Sequence, residues 1–239
     1  MENGSYDDVI GNRSAPYLNA LARSGALFTR SFAVTHPSEP NYLALFSGST
    51  QHLVDDSCPH TYGGPSLASS VVAAGGTFTG YAESLPHAGY RGCQAGPYAR
   101  KHAPWVNFSS VSARENQPFS AFPHDLTALP TLSFVVPDLG NDMHDGTIAR
   151  ADQWLHRHLG RYVTWARTHN SLLVLTWDED DRSQGNRIPT VITGAHVTAG
   201  RYSERLTHYG LLRTLEYRLG LAPIGASAQT TPVQDIWSR

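Results

Sequence analysis

Apolar and polar positions change period repeatedly along this chain, and the changes predict strands alternating with helices. Ser14-Ala-Pro-Tyr-Leu reads as a helix start, with Ser14 as cap, Pro16 in the first turn and Gly25 as the stop. Ala26 to Val34 alternates loosely, as a strand does. A short apolar helix follows Ser38 and ends near Gly48. Ser66 to Ala74 reads as a helix closed by Gly75-Gly76, and Thr77-Phe-Thr-Gly-Tyr-Ala as the next strand. Leu132-Ser-Phe-Val-Val-Pro predicts another strand. Thr147 to His169 predicts a helix with an apolar stripe through Ile148, Trp154, Leu155, Leu159 and Trp165. Ser171-Leu-Leu-Val-Leu-Thr-Trp is a continuous apolar run of the kind buried on both faces of a parallel sheet. Thr190-Val-Ile-Thr is a further strand, and Thr207 to Leu219 a helix ending at Gly220. This alternation predicts an α/β fold with a mostly parallel sheet flanked by helices. Residues 85–130, rich in Pro, Gly, His and aromatics, show no period and read as a long ordered insertion in a single domain, 1–239.

With 239 residues, 40% of them hydrophobic, the chain can bury one substantial core. Eighteen Lys and Arg stand against twenty Asp and Glu, for a formal charge of −2, and no basic block offers a nucleic-acid surface. No 18-residue apolar run predicts a membrane span, and the first residues lack the basic and apolar regions of a signal peptide. The two cysteines, Cys58 and Cys93, are open to two readings, a bridge or a pair of free thiols. A bridge would stabilise by roughly 3–4 kcal/mol in the chain-entropy model and would imply an oxidising compartment.

In folds of this class ligands sit beyond the carboxyl ends of the strands. The polar residues predicted there are Ser38 and Asn41 after the first strand, Asp138, Asp142 and His144 after 132–136, and Asp178 and Glu179 after 171–177. In THPSEPNY, Ser38 as cap would place Glu39, Pro40 and Asn41 in the first helical turn. Proline's missing N–H costs nothing there, and the remaining N–H groups attract an anion such as phosphate. Asn41 would add a neutral donor for a non-bridging oxygen. A serine in this position also serves as a plain cap, and the stretch alone does not separate the two readings. In LTWDEDD, adjacent carboxylates at the end of a buried strand repel one another, and the usual remedy is a hard divalent cation such as Mg²⁺, Ca²⁺ or Mn²⁺, without excluding zinc or iron. The alternative is a solvated acidic turn continued by Asp180 and Asp181. Glu2-Asn3 supplies two more oxygen donors, and His144 and His208 supply imidazoles. Of the twelve histidines, His52, His60, His87, His156, His158, His169 and His196 read as ordinary; His102, in YARKHAPW, stays open.

MENGSYDD, THPSEPNYLALFSG, YARKHAPW, NDMHDG, LTWDEDD and THYGLLRTLE occur in this order. Together they resemble the phosphoesterase family of bacterial acid phosphatases and non-specific phospholipases C, within the alkaline-phosphatase superfamily, from residue 2 to about residue 220. The resemblance implies an alkaline-phosphatase-like fold in which Ser38 is the nucleophile and becomes a phosphoserine. It implies one divalent metal ion held by Glu2, Asn3, Ser38, Asp178 and Glu179. Asn41, His102 and Asp142 would lie on the substrate side, with His144 and His208 handling protons. An acidic to neutral optimum follows from histidine proton transfer. Family members place an apolar strand before the Glu-Asn pair, where this sequence has only Met1, so the sheet is expected to lack its first strand and to show a gap or groove there. The implied activity is hydrolysis of phosphate monoesters. The alternatives are phospholipase C-like cleavage of a phosphodiester or phospholipid head group, and an inactive phosphate- or metal-binding relic. By the same resemblance the protein would be secreted or periplasmic.

Overall fold

The structure is a computed structural model and describes residues 1–238. The helices in chain order are α1 (Tyr6–Val9), α2 (Pro16–Ser24), α3 (Ser38–Ser47), α4 (Leu67–Ala73), α5 (Ile148–Ala166) and α6 (His208–Leu219). The strands are β1 (Ala26–Phe28), β2 (Ser31–Phe32), β3 (Phe78–Ala82), β4 (Gln94–Ala95), β5 (Tyr98–Ala99), β6 (Asn116–Pro118), β7 (Leu132–Val136), β8 (Leu172–Thr176), β9 (Thr190–Gly194), β10 (Gly200–Tyr202) and β11 (Leu206–Thr207). This is the α/β class the alternation predicts, with mostly parallel strand pairing. The chain divides into two compact units. One is built from Met1–Val34, Gly140–Thr207 and the residues from Val233 on, the other from Thr35–Leu139 and His208–Pro232.

The first unit holds a sheet ordered β10-β1-β9-β8, in which β1 runs parallel to β10 and β9 runs against both β1 and β8. Two expectations change here. The strand predicted over 26–34 breaks at Thr29-Arg30, and β2 leaves to pair in parallel with β11. The apolar run 171–177 forms an edge strand antiparallel to β9, with Leu172 to Val174 only half-buried. An apolar run reports a preference for burial; it does not encode the direction of the neighbouring strand. Met1 meets the end of β8 through its backbone, with Met1 N donating to Thr176 O (3.3 Å) and Asp178 N donating to Met1 O (3.1 Å). Against this sheet pack α2 and α5, burying Leu18, Leu21, Trp154, Leu155, Leu159 and Val163. Ser14 does not cap α2. Asp152 of α5 does so from a distance in sequence, accepting from Tyr17 N (3.2 Å) and Leu18 N (2.7 Å). On α5 itself Thr147 caps as predicted, accepting from Arg150 N.

The second unit holds an all-parallel sheet, β6-β3-β7. Every residue of α3 is buried, including the polar Ser38, Glu39, Asn41 and Ser47. Phe46 of α3 reaches Phe78, Phe108 and Phe134 at ring separations of 5.6, 5.5 and 5.8 Å. Gly48 ends α3 with φ of 68°, and a Cβ there would stand 2.2 Å from Ile224 O, so only glycine fits. Ser66 and Ser69 form a capping box on α4. The aperiodic 85–130 stretch is ordered by short 3-10 turns and by side-chain anchors. Its Trp105 lies on Gly80 of β3, donates Nε1 to Asn116 Oδ1 (2.8 Å) and faces Phe134.

Cys58 and Cys93 are bonded, with their Cα atoms 5.9 Å apart and a sequence separation of 35. The Cys58→Ser/Cys93→Ser protein is expected to lose about 3–4 kcal/mol of unfolding free energy through loop-closure entropy. Denaturant titration against the oxidised protein checks this; a loss well under 1 kcal/mol would show that the bridge does not hold the loop.

Candidate active site

The predicted site residues fall into two groups, one in each unit. Ser38, Asn41, His102 and His208 belong to the second unit; Glu2, Asn3, Asp142, His144, Asp178 and Glu179 belong to the first. In the second unit Ser38 is the first residue of α3, 2% exposed, with Pro37 rather than Ser38 in the cap position. Asn41 turns back onto the preceding loop. Its Nδ2 donates to Thr35 O (2.8 Å) and Pro37 O (3.2 Å), and its Oδ1 accepts from Thr35 N (3.0 Å). It thereby fixes the turn that delivers Ser38. The helix terminus is also less open than the sequence implies, because Glu39 N donates to Asp56 Oδ1 (2.9 Å) and Pro40 has no N–H. Asp56 is in turn paired with Lys101 Nζ at 2.9 Å. A carboxylate at a helix N-terminus is favourable, and here it ties α3 to the residue next to His102.

His102 is buried and stacks on Tyr42 of α3, with ring centroids 5.5 Å apart. Behind it runs a buried polar chain that motif reading did not single out. Glu39 Oε1 accepts from Asn107 Nδ2 (2.7 Å), and Asn107 Oδ1 accepts from Arg100 Nε (3.0 Å). Arg100 also donates to Arg91 O (2.6 Å) and His60 O (2.6 Å), and its N–H donates to Cys93 O. The disulfide loop is thus connected, bond by bond, to the residue beside Ser38. The signal in the sequence was Glu39 itself, the one charged residue of a buried helix. His208 opens α6 and is 2% exposed; Glu216, further along α6, is fully buried and holds the 224–227 turn through Ile224 N and Ser227 Oγ.

In the first unit the N-terminal residues lie against the end of β8. Asn3 N donates to Asp178 Oδ1 (3.2 Å), Glu2 N donates to Asp142 O (2.8 Å), and Gly4 passes so close to the Trp177 ring that a Cβ would stand 2.3 Å from Nε1. Glu2 and Asp142 are fully buried, and their carboxylate oxygens lie within 4.8 Å of each other. Asp178 and Glu179 are 4% and 5% exposed. Asp142, expected on the substrate side, thus lies beside Glu2. Its Oδ1 also accepts from His144 N (2.8 Å), and His144 Nδ1 lies 2.8 Å from Asp145 Oδ1, which orients the ring. The second half of LTWDEDD divides between a buried acid, Asp180, and an exposed one, Asp181. Asp180 is 1% exposed and accepts from the N–H groups of Arg182, Gln184 and Asn186, while Asp181 binds Ser5 and Ser183. Buried, close carboxylates of like charge are relieved by hydrogen-bond donors, by a shared proton or by a counter-cation, and oxygen donors of this kind suit a hard divalent ion.

A model of the Phosphoesterase family matches residues 4–222. The chain belongs to that family. It is a hydrolase acting on phosphoric esters. The phosphoesterase is 54% identical over 239 residues to a phosphatidylinositol-3-phosphatase of Mycobacterium tuberculosis, covering 99% of this chain and 80% of the relative. It is 34% identical to a phosphate-repressible acid phosphatase of Penicillium chrysogenum, covering 94% of this chain but only 58% of the fungal protein. In three dimensions it resembles a protein in the alkaline phosphatase superfamily from Vibrio parahaemolyticus, with a TM-score of 0.63, 13% identity, and coverage of 98% of this chain and 68% of the other. A phosphonate monoester hydrolase from Silicibacter pomeroyi gives a TM-score of 0.62 at 10% identity, covering 98% of this chain and 76% of that one. At such identities these two likenesses concern the fold.

Burial pushes the Glu39 carboxyl of the phosphoesterase up from 4.5 to about 7, and the Asp56 charge adds to the rise; the Asn107 hydrogen bond and the Arg100 and His102 charges oppose it. The folded protein therefore holds a proton on Glu39 that the unfolded chain has already lost, and folding stability falls as pH rises from about 4.5 to about 7. Glu39→Gln is expected to remove this slope and to gain up to about 3 kcal/mol over the parent above pH 7, with no gain below pH 4.5. Denaturant titrations of both proteins across that range check the sign. A variant less stable than the parent at high pH would mean that the ionised carboxylate is stabilising.

Proposed function

We propose that this phosphoesterase hydrolyses phosphate monoesters through attack of Ser38 at phosphorus. The observation that carries the reading is the placement of Ser38 itself: a buried hydroxyl on the first turn of a helix, delivered by the Asn41-braced loop and backed by the Glu39–Asn107–Arg100 chain. Such rigidity on both sides of one hydroxyl serves positioning. In the reaction Ser38 Oγ forms a bond to phosphorus as the ester P–O bond breaks, and the departing alkoxide takes a proton from His144 or His208. Water then attacks the phosphoserine, the same histidine accepts its proton, and the P–Oγ bond breaks to release inorganic phosphate. Asn41 and His102 serve the phosphate oxygens, with Asn41 acting chiefly through the turn it holds. The carboxylates Glu2, Asp142, Asp178 and Glu179 of the first unit, with the Asn3 amide, are the candidate donors for one divalent ion. When bound, such an ion would supply Lewis-acid stabilisation of negative charge on phosphate.

The substrate class follows from the relatives' names. A phosphatidylinositol 3-phosphate carries its 3-phosphate as a monoester, as do the small substrates of acid phosphatases, so a monoester on a small polar or lipid head group is the reading both support. Phospholipase C-like diester cleavage is the second reading, and it rests on the family alone. No described helix is long and apolar enough to cross a membrane. The Cys58–Cys93 bond favours an oxidising compartment, hence secretion or a periplasmic location.

Replacing Ser38 by alanine is expected to lower kcat/KM on p-nitrophenyl phosphate by about 10³-fold or more while leaving the unfolding transition in place. Chelation should abolish turnover of the parent, and divalent ions should restore it. Faster hydrolysis of the choline diester of p-nitrophenyl phosphate would favour the phosphodiesterase reading. An intact parent without turnover under any divalent ion would favour the relic, and a rate climbing steadily into strongly alkaline solution would remove histidine from the proton steps.

A further inference from the structure

The residues flanking the two cysteines reach the start of α3 along two separate lines, all within the second unit. Asp56, two residues before Cys58, accepts from Glu39 N (2.9 Å) through Oδ1 and from Lys101 Nζ (2.9 Å) through Oδ2. Arg100, 3% exposed, holds both flanks of the bond at once. Its Nη2 donates to His60 O (2.6 Å), two residues after Cys58, and its Nη1 to Arg91 O (2.6 Å), two residues before Cys93. Its backbone N–H donates to Cys93 O (3.0 Å). Nε then donates to Asn107 Oδ1 (3.0 Å), and Asn107 Nδ2 to Glu39 Oε1 (2.7 Å). Among the described residues Glu39 Oε2 has no hydrogen-bond partner, so Asn107 alone orients the carboxyl.

One line therefore ends on the backbone N–H of Glu39 and the other on its side chain. Loop closure by itself stabilises a fold without regard to where the residues beside the cysteines point. Here those residues are spent on the neighbour of Ser38 in the first turn of α3. A buried guanidinium that gathers carbonyl oxygens from two segments fixes their spacing, because its donors form a rigid planar fork. Displacing a reacting hydroxyl by about 1 Å can cost on the order of 100-fold in rate, so a clamp on the serine turn bears on turnover more than on net stability. Cys93 is exposed and Cys58 half-buried, and a dissolved dithiol can therefore reach the bond.

We propose that Asp56 and Arg100 are positioning residues for Ser38, anchored by the Cys58–Cys93 bond, so that turnover falls when the bond is reduced. The proposal rests on Ser38 being the nucleophile. In the reduction a dithiol gives the cystine two electrons and two protons and closes to its own disulfide, leaving thiols at Cys58 and Cys93. Asp56→Ala is expected to lower kcat on p-nitrophenyl phosphate about tenfold with KM within about twofold of the parent. Asp56→Asn keeps the acceptor for Glu39 N and should recover most of that loss. Arg100→Lys keeps the charge but cannot span both flanks, and should fall with Asp56→Ala. The parent reduced by dithiothreitol under saturating divalent ion and the Cys58→Ser/Cys93→Ser protein, each assayed below its unfolding transition, should share one kcat about tenfold under that of the oxidised parent. Dithiothreitol should leave the double-serine protein unchanged, which separates reduction of the bond from any effect of the reductant on the ion. Adding Asp56→Ala to Cys58→Ser/Cys93→Ser should cost little more than either alone, since both release one turn, whereas independent effects would multiply to about 100-fold. The proposal is overturned if the folded reduced parent and Asp56→Ala both turn over within about twofold of the parent, if their losses multiply, or if Asp56→Asn is as slow as Asp56→Ala. Turnover that survives Ser38→Ala overturns the nucleophile reading instead, a result the clamp variants cannot mimic.

Discussion

Burying carboxylates is costly, and both compact units are arranged around that cost. A carboxylate removed from water needs hydrogen-bond donors, a proton or a cation, and the chain uses different remedies in different places. Asp152 and Asp180 are satisfied by backbone N–H groups and act as structural caps. Glu216 is satisfied by Ser227 and Ile224 N and fixes a turn. Glu39 holds a proton into the neutral range. Glu2 and Asp142 are fully buried with a carboxylate oxygen of each within 4.8 Å of the other, and Asp178 and Glu179 are buried in the same unit. Acids gathered so closely make this cluster the candidate metal site, where Asp152, Asp180 and Glu216 each stand in a local turn or cap.

The same contrast explains what the sequence made legible. Strands β3, β7 and β9, helices α3, α4, α5 and α6, and the αL glycine ends at Gly48 and Gly220 followed from period and turn chemistry, because those signals are local. The cap of α2 did not, since Asp152 lies 134 residues away from the N–H it accepts at Leu18. Nor did the edge position and antiparallel partner of β8, because an apolar run carries no information about its neighbour's direction. In the candidate site the motif serine and the acids could be singled out by type and order. The division of LTWDEDD could not, because Asp178 and Asp180 are identical in sequence terms and differ only in which donors the fold brings to them.

Long insertions without period are often treated as decoration, and the 85–130 stretch argues otherwise. Arg100 gathers carbonyls from residues close to both disulfide cysteines, His60 and Arg91, and passes the constraint to Asn107 and then to Glu39. Trp105 anchors the same stretch on Gly80, a position with no room for a side chain. These contacts fix the backbone that carries His102 against Tyr42 of α3. The absence of a hydrophobic period is then expected, because the stretch is held by polar side chains reaching backbone carbonyls and by single aromatic plugs.

The buried polar chain also bears on how firmly Ser38 is held. On the proposed reading Ser38 is a catalytic hydroxyl, which loses rate steeply when its position relaxes, so its neighbours would resist displacement more than contribute net stability. Glu39 fits that requirement at an energetic disadvantage: an apolar residue of similar size would avoid its desolvation, yet would release Asn107 and with it Arg100. Retaining an acid there makes sense where the orientation of the serine turn matters more than the last few kcal/mol of folding. By that reasoning the disulfide loop, remote from Ser38 in sequence, belongs with the serine turn, and the connection runs through hydrogen bonds of 2.6 to 3.0 Å.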